Sequence, residues 1–345
     1  MKKQITNISP SDKVLNSLTG YVAADKKTLI SAIHNFRDNN VDSAECEKLG
    51  KKLYEILLEN GLNESDIINP LRLWGKLDGF VYGDKPETAI EILEVLDAIE
   101  FYQKHDPNGN PAFYVNNEVE AKILVNNYRN PKIKNISWMQ SARPIYLNAL
   151  TNISLAIGNI KEAKYYNQKA LELNPFQFEA NLLAVRIEKK GKARKIKEGL
   201  LKCWKFTYNR PQLAEFFREL SEFYKEKNDL TTAYAVLAMR LAVDDYEIAL
   251  QDLNDLKHEI EKMVVSPHFV PSLDECFKIL EKENIKYNIP AENFGILLDL
   301  YEEYYKKDKS NKILEALKEI ILDFAKDPEI LTKIHQKHKK NKKGE

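Results

Sequence analysis

The sequence predicts an all-α protein made of paired helices. Gly and Pro number only 12 and 13 in 345 residues, about 7% where about 12% is usual, too few for the dense turns of a sandwich or barrel. Apolar residues recur at steps of three and four in many segments, the period of a helix buried along one side. Small residues and turn formers also return at whole-repeat intervals in the middle of the chain, the sign of a helical repeat array.

Residues 1–105 are expected to form an N-terminal helical bundle. Its clearest helix is expected over 86–104, where Ala89, Ile92, Leu93, Leu96 and Ile99 make one apolar stripe and Glu87, Glu91, Glu94 and Glu100 spread over the remaining surface. Shorter helices are expected over 26–36, 44–59 and 65–77, with breaks at Asp38-Asn39-Asn40, Asn60-Gly61 and Tyr82-Gly83.

Residues 106–137 read as an irregular connection with one short helix, over 118–128, followed by a basic stretch at 129–135. Asp106, Asn108 and Asn110 alternate as in a calcium loop, which needs Gly at its sixth position and a bidentate Glu at its twelfth. This chain has Pro111 and Asn117 there, and Pro fixes φ on the wrong side for the sharp turn. A plain loop is expected.

From 138 to 264 the chain reads as helical repeats. Leu147, Leu150, Gly158, Ala163, Ala170 and Pro175 combine a permissive turn, two small residues that let a facing helix approach, and a stop. Phe217, Leu220, Tyr224, Ala233 and Leu237 repeat the pattern 70 residues on, with Asn228-Asp229 in the turn. A more degenerate unit lies between, its turn at Gly191, with bulky or charged residues where its second helix should show small ones. Over residues 142–246 this pattern resembles the tetratricopeptide repeat, a helix-turn-helix unit of about 34 residues. The resemblance implies a right-handed superhelical solenoid whose first helices line a concave groove. Residues 265–345 are expected to add amphipathic helices over 273–283, 291–307 and 311–325, either as diverged repeats or as a capping bundle, and then a basic tail.

The resemblance also implies that an extended peptide lies in that groove. Aligning the units puts Asn148 and Asn152, then Asn181 with Lys189, then Arg218, Glu222 and Lys225 on the groove face. An amide both donates and accepts, as a peptide backbone requires, and Arg218 offers a fork for a carboxylate. The plainer reading of each residue is a solvated position on a helix. Tyr165-Tyr166, Phe216-Phe217, Tyr301 and Tyr304-Tyr305 suggest an aromatic groove, although at helical spacing such residues belong more often to a core.

Lys plus Arg equals Asp plus Glu at 52 each, so no overall field draws the molecule to nucleic acid. The lysines from Lys333 to Lys343 are the one hint of nucleic-acid binding, and they read as a frayed tail. No histidine pair has metal-ligating spacing, and nucleophile-elbow, phosphate-loop and dinucleotide motifs are missing, so no metal or cofactor is expected. Cys46, Cys203 and Cys276 are expected to be buried, reduced thiols. With no membrane-length apolar run, the expectation is a cytoplasmic, non-enzymatic scaffold that binds a protein or peptide. The alternatives are a peptide-sensing regulator or an enzyme with its site in the N-terminal region.

Overall fold

A computed structural model describes residues 8–39, 41–59, 70–100, 105–106, 108–128, 136–188, 193–244, 247–262, 269–307 and 312–325. Sixteen helices and two short strands fall among the described residues, and the protein is mostly helical. Lys189, the turn at Gly191, the start of the helix expected over 65–77, the basic stretch 129–135 and the C-terminal lysines lie outside them. Among the described residues no helix is long and apolar enough to cross a membrane.

The chain forms two compact units, Met1–Glu118 with Tyr128–Pro175, and Val119–Asn127 with Phe176–Glu345. The first contains α1 (Pro10–Leu15), α2 (Val22–Asp38), α3 (Ser43–Glu59), α4 (Pro70–Tyr82), α5 (Pro86–Ile99) and β1 (Ala112–Val115). After α6 (Glu118–Asn127), which belongs mostly to the second unit, it resumes with β2 (Ser137–Gln140), α7 (Arg143–Ala156) and α8 (Ile160–Leu173).

Helix α5 is the centre of the first unit, packed by α2, α3, α4 and α7. Pro86 starts it, where a missing N–H costs nothing. It ends at Ile99 because Glu100 turns to extended backbone, with φ −61° and ψ 140°. The single stripe expected from sequence is corrected: Ile90, Val95, Asp97 and Ala98 are buried along with Ala89, Ile92, Leu93 and Leu96, since neighbouring helices cover several faces.

The strands are a second correction, to the irregular reading of 106–137. β1 and β2 pair in parallel, Ala112 opposite Ser137 and Val115 opposite Gln140. All four residues of β1 are buried, so it shows no alternation for a sequence reading to find. The loop before β1 closes on itself: the Asp106 carboxylate accepts from the Asn108 and Asn110 N–H groups and from the Asn110 amide.

The hairpin of α7 and α8 turns at Gly158, which has φ +78°. Its N–H bonds the Leu155 carbonyl, and the N–H of Asn159 bonds the carbonyl of Ser154. That is the Schellman arrangement, in which a left-handed residue satisfies the last orphan carbonyls of a helix. The Asn159 side chain then caps α8 by accepting from the Glu162 N–H. Ala163 and Ala170 are fully buried.

In the second unit α9 (Phe178–Ile187), α10 (Ala193–Trp204), α11 (Arg210–Glu226) and α12 (Leu230–Val243) precede α13 (Glu247–Lys262), α14 (Leu273–Lys282), α15 (Ala291–Lys307) and α16 (Lys312–Phe324). The turn of α11 and α12 repeats that of the first hairpin bond for bond. Asn228, φ +57°, bonds Lys225, Asp229 bonds Tyr224, and the Asp229 carboxylate caps α12 at Thr232. Helix α12 packs against α11, α13 and α14, and Phe216, Phe217, Leu220, Ala233 and Val236 are completely buried.

The middle hairpin does have its small residue. Gly199 of α10 lies so close to α9 that a Cβ on it would stand 2.7 Å from Val185 Cγ2. Sequence alignment overlooked it because Gly199 falls outside the small positions of the other units.

Candidate functional site

Helix α11 is enclosed on all but one side. Leu213, Phe216, Phe217, Leu220, Phe223 and Tyr224 are buried, while Pro211, Glu215, Arg218, Glu222 and Lys225 remain at least partly exposed. These five follow steps of four, three, four and three, so they form one stripe along the helix. Its charged members alternate in sign.

The charges are joined to one another along α11 and by Arg186 from the helix alongside. Arg218 donates from Nε to Glu215 at 2.9 Å and from Nη2 to Glu215 at 2.6 Å and Glu219 at 3.0 Å. Arg186 of α9 donates to Glu219 at 3.0 Å and also pairs with Glu215. Lys225 donates to Glu222 at 2.9 Å. Burial pushes the Glu215 carboxyl up, but Arg218 and Arg186 outweigh it and hold it below the ordinary range. Hydrogen bonding to Glu215 in turn raises Arg218.

Of the residues expected at a groove, Arg218, Glu222 and Lys225 share this stripe. Asn148 and Asn152 stand one turn apart on α7, the first half-buried and the second exposed. Asn181 is buried on α9, where its amide donates to the Gln177 carbonyl at 2.7 Å. Sequence reasoning missed Arg186, Glu215 and Glu219. A signal existed in the spacing: Arg186 to Glu219 and Glu179 to Gln212 both join α9 to α11 across 33 residues, about one repeat.

Glu215 also lines a cavity of about 610 Å³ at the N-terminal end of α11, with Arg210, Pro211, Ala214, Val243 and Asp323. Arg210 spans it, donating from Nε to the Val243 carbonyl at 2.9 Å and from Nη1 to Asp323 at 3.3 Å. The stripe therefore opens at one end into a charged recess.

The aromatic residues divide. Phe216, Phe217 and Tyr301 are core, as is Tyr166, whose hydroxyl donates to Glu94 at 2.6 Å, whereas Tyr165 is exposed.

The first unit holds a separate buried polar cluster. Arg143 grips Asp97 with two bonds, and the Ser141 hydroxyl donates to Glu100 at 3.4 Å. Burial lowers His34 to about 4, raises Tyr146 to about 12 and raises Glu100. The three cysteines are buried free thiols, and burial pushes each of them up, Cys203 to about 12, which suppresses the nucleophilic thiolate. Among the described residues no group of three or more His, Cys, Asp or Glu could hold a metal ion.

The chain matches no family model and no curated protein.

Proposed function

We propose that this chain is a tetratricopeptide-like scaffold that binds an extended peptide or protein segment along the exposed stripe of α11, without turning it over. The observation that carries this reading is the 33-residue pairing of α9 with α11. In the repeat reading α9 and α11 are the first helices of successive hairpins, and bonds one repeat apart support a face that runs from one to the next. Two hairpins closed by the same turn at Gly158 and Asn228 support it.

The alternating charges of Glu215, Arg218, Glu222 and Lys225 favour a partner of alternating charge, which exchanges internal ion pairs for intermolecular ones. Three buried thiols fit a reducing, cytoplasmic setting. Affinity capture from the native cell, followed by calorimetry with the recovered segment, tests the reading. Arg218→Ala and Lys225→Ala are each expected to weaken binding about tenfold, a loss of about 1.4 kcal/mol. Wild-type affinity in both variants would remove α11 from the site.

A further inference from the structure

A second cavity in the same unit, about 600 Å³, lies between the end of α10 and the connection from α14 to α15. It is walled by three aromatic rings, Trp204, Phe277 and Tyr287, with Glu281 and Lys286 also in its lining. Phe277 and Tyr287 stand 5.3 Å apart between centroids with their planes at 68°, so the two rings form a corner. They remain 38% and 48% exposed, a large aromatic surface left open to solvent.

The corner is held in place. The Trp204 indole N–H donates to the Asn288 carbonyl at 2.8 Å, which fixes the third ring against the segment that carries Tyr287. Ser272 and Glu275 form a capping box at the start of α14. Asn284, φ +56°, closes the other end, with the Ile285 N–H on the Leu280 carbonyl. Phe277 and Glu281 are one turn apart on that helix, which sets a carboxylate beside the aromatic corner. Both Glu281 and Lys286 are exposed, and among the described residues neither makes an ion pair.

Aromatic faces set at an angle attract a cation that is weakly hydrated, above all an alkylated ammonium. Glu281 adds the opposite charge. Lys286 does not suit a simple cation, but it does suit a ligand with a carboxylate at its other end. We infer that this cavity binds a small zwitterion with an alkylated ammonium, a betaine. Its ammonium rests against Trp204, Phe277 and Tyr287 beside Glu281, and its carboxylate meets Lys286. This site is independent of the α11 stripe.

Calorimetric titration of the full chain with three probes tests it: glycine betaine, its uncharged-head isostere the anion of tert-butylacetic acid, and tetramethylammonium. Glycine betaine is expected to bind at least about tenfold more tightly than either of the others. Phe277→Leu and Tyr287→Leu, at exposed rings and with unchanged thermal melts, are each expected to lose about tenfold. Lys286→Met is expected to weaken the two probes that carry a carboxylate, glycine betaine and the tert-butylacetic acid anion, and to leave tetramethylammonium unchanged. No saturable heat with glycine betaine, or equal affinity for its isostere, would overturn the assignment. Tighter binding of a peptide carrying trimethyl-lysine would overturn the small-zwitterion reading.

Discussion

Arg143, at the start of α7, holds the carboxylate of Asp97, near the end of α5, through Nε to Oδ1 at 2.6 Å and Nη2 to Oδ2 at 3.0 Å. Their side chains are 4% and 6% exposed. The pair joins the N-terminal helices of the first unit to the hairpin of α7 and α8. Removing one partner strands a buried charge, so Arg143→Met and Asp97→Leu are each expected to cost about 3–5 kcal/mol. The double variant is expected to cost much less than their sum, because an apolar pair leaves no charge to solvate. Urea denaturation of the four proteins measures this, and additive losses would contradict it.

His34 gives the first unit a pH dependence. Burial chiefly, with Lys169, Arg143 and Arg37 assisting and Asp97 opposing, lowers it from 6.5 to about 4. The unfolded chain therefore takes up a proton between those values that the folded chain refuses. Stability is full above pH 6.5 and falls as pH drops toward about 4, by up to about 3 kcal/mol. His34→Gln is expected to flatten that part of the profile. Urea midpoints at about pH 7 and about pH 5 that shift equally in the wild type and the variant would refute this.

Gly199 and Val185 are coupled by contact. An alanine at 199 is expected to overpack α9 against α10 and to cost about 1–3 kcal/mol. In a Val185→Ala background the clashing methyl is gone, and Gly199→Ala should then stabilise by up to about 1 kcal/mol through helix propensity. A double-mutant cycle by thermal or chemical denaturation reads the coupling, and equal costs in both backgrounds would show that the helices do not approach there.

Glu219 is 4% exposed on its side chain and accepts from both Arg186 and Arg218. Losing either arginine leaves the other in place, so each single alanine variant is expected to cost about 1–2 kcal/mol. Losing both removes the two guanidinium partners of a buried carboxylate at once, and is expected to cost about 3–5 kcal/mol. Denaturant unfolding that shows the double variant no worse than the worse single one would dissolve this network.

Local rules carried the helix pairs. The helices expected over 44–59, 291–307 and 311–325 match α3, α15 and α16 to within a residue at each end, because caps, apolar period and breakers all lie within a few residues of the boundary. The turns at Gly158 and Asn228 were legible for the same reason: the left-handed residue that closes so tight a reversal is usually Gly or Asn. Strand β1 was not legible, because its partner lies 25 residues on and four buried apolar residues carry no period.

The sequence by itself determined where the helices lie and where they reverse, since those choices depend on backbone conformation and on neighbours three or four positions away. Tertiary structure alone decided which charges distant in sequence meet. Asp97 and Arg143 are 46 residues apart, and nothing in either segment marks the other. It also decided what remains open to a ligand. Arg218, read from sequence as a free fork, shares Glu215 and Glu219 with Arg186, which α9 brings alongside. Phe277, Tyr287 and Trp204, ordinary aromatic positions along the chain, come together around one cavity, two of them partly exposed. Exposure is set by what packs on a side chain, and that is fixed only when distant segments have found each other.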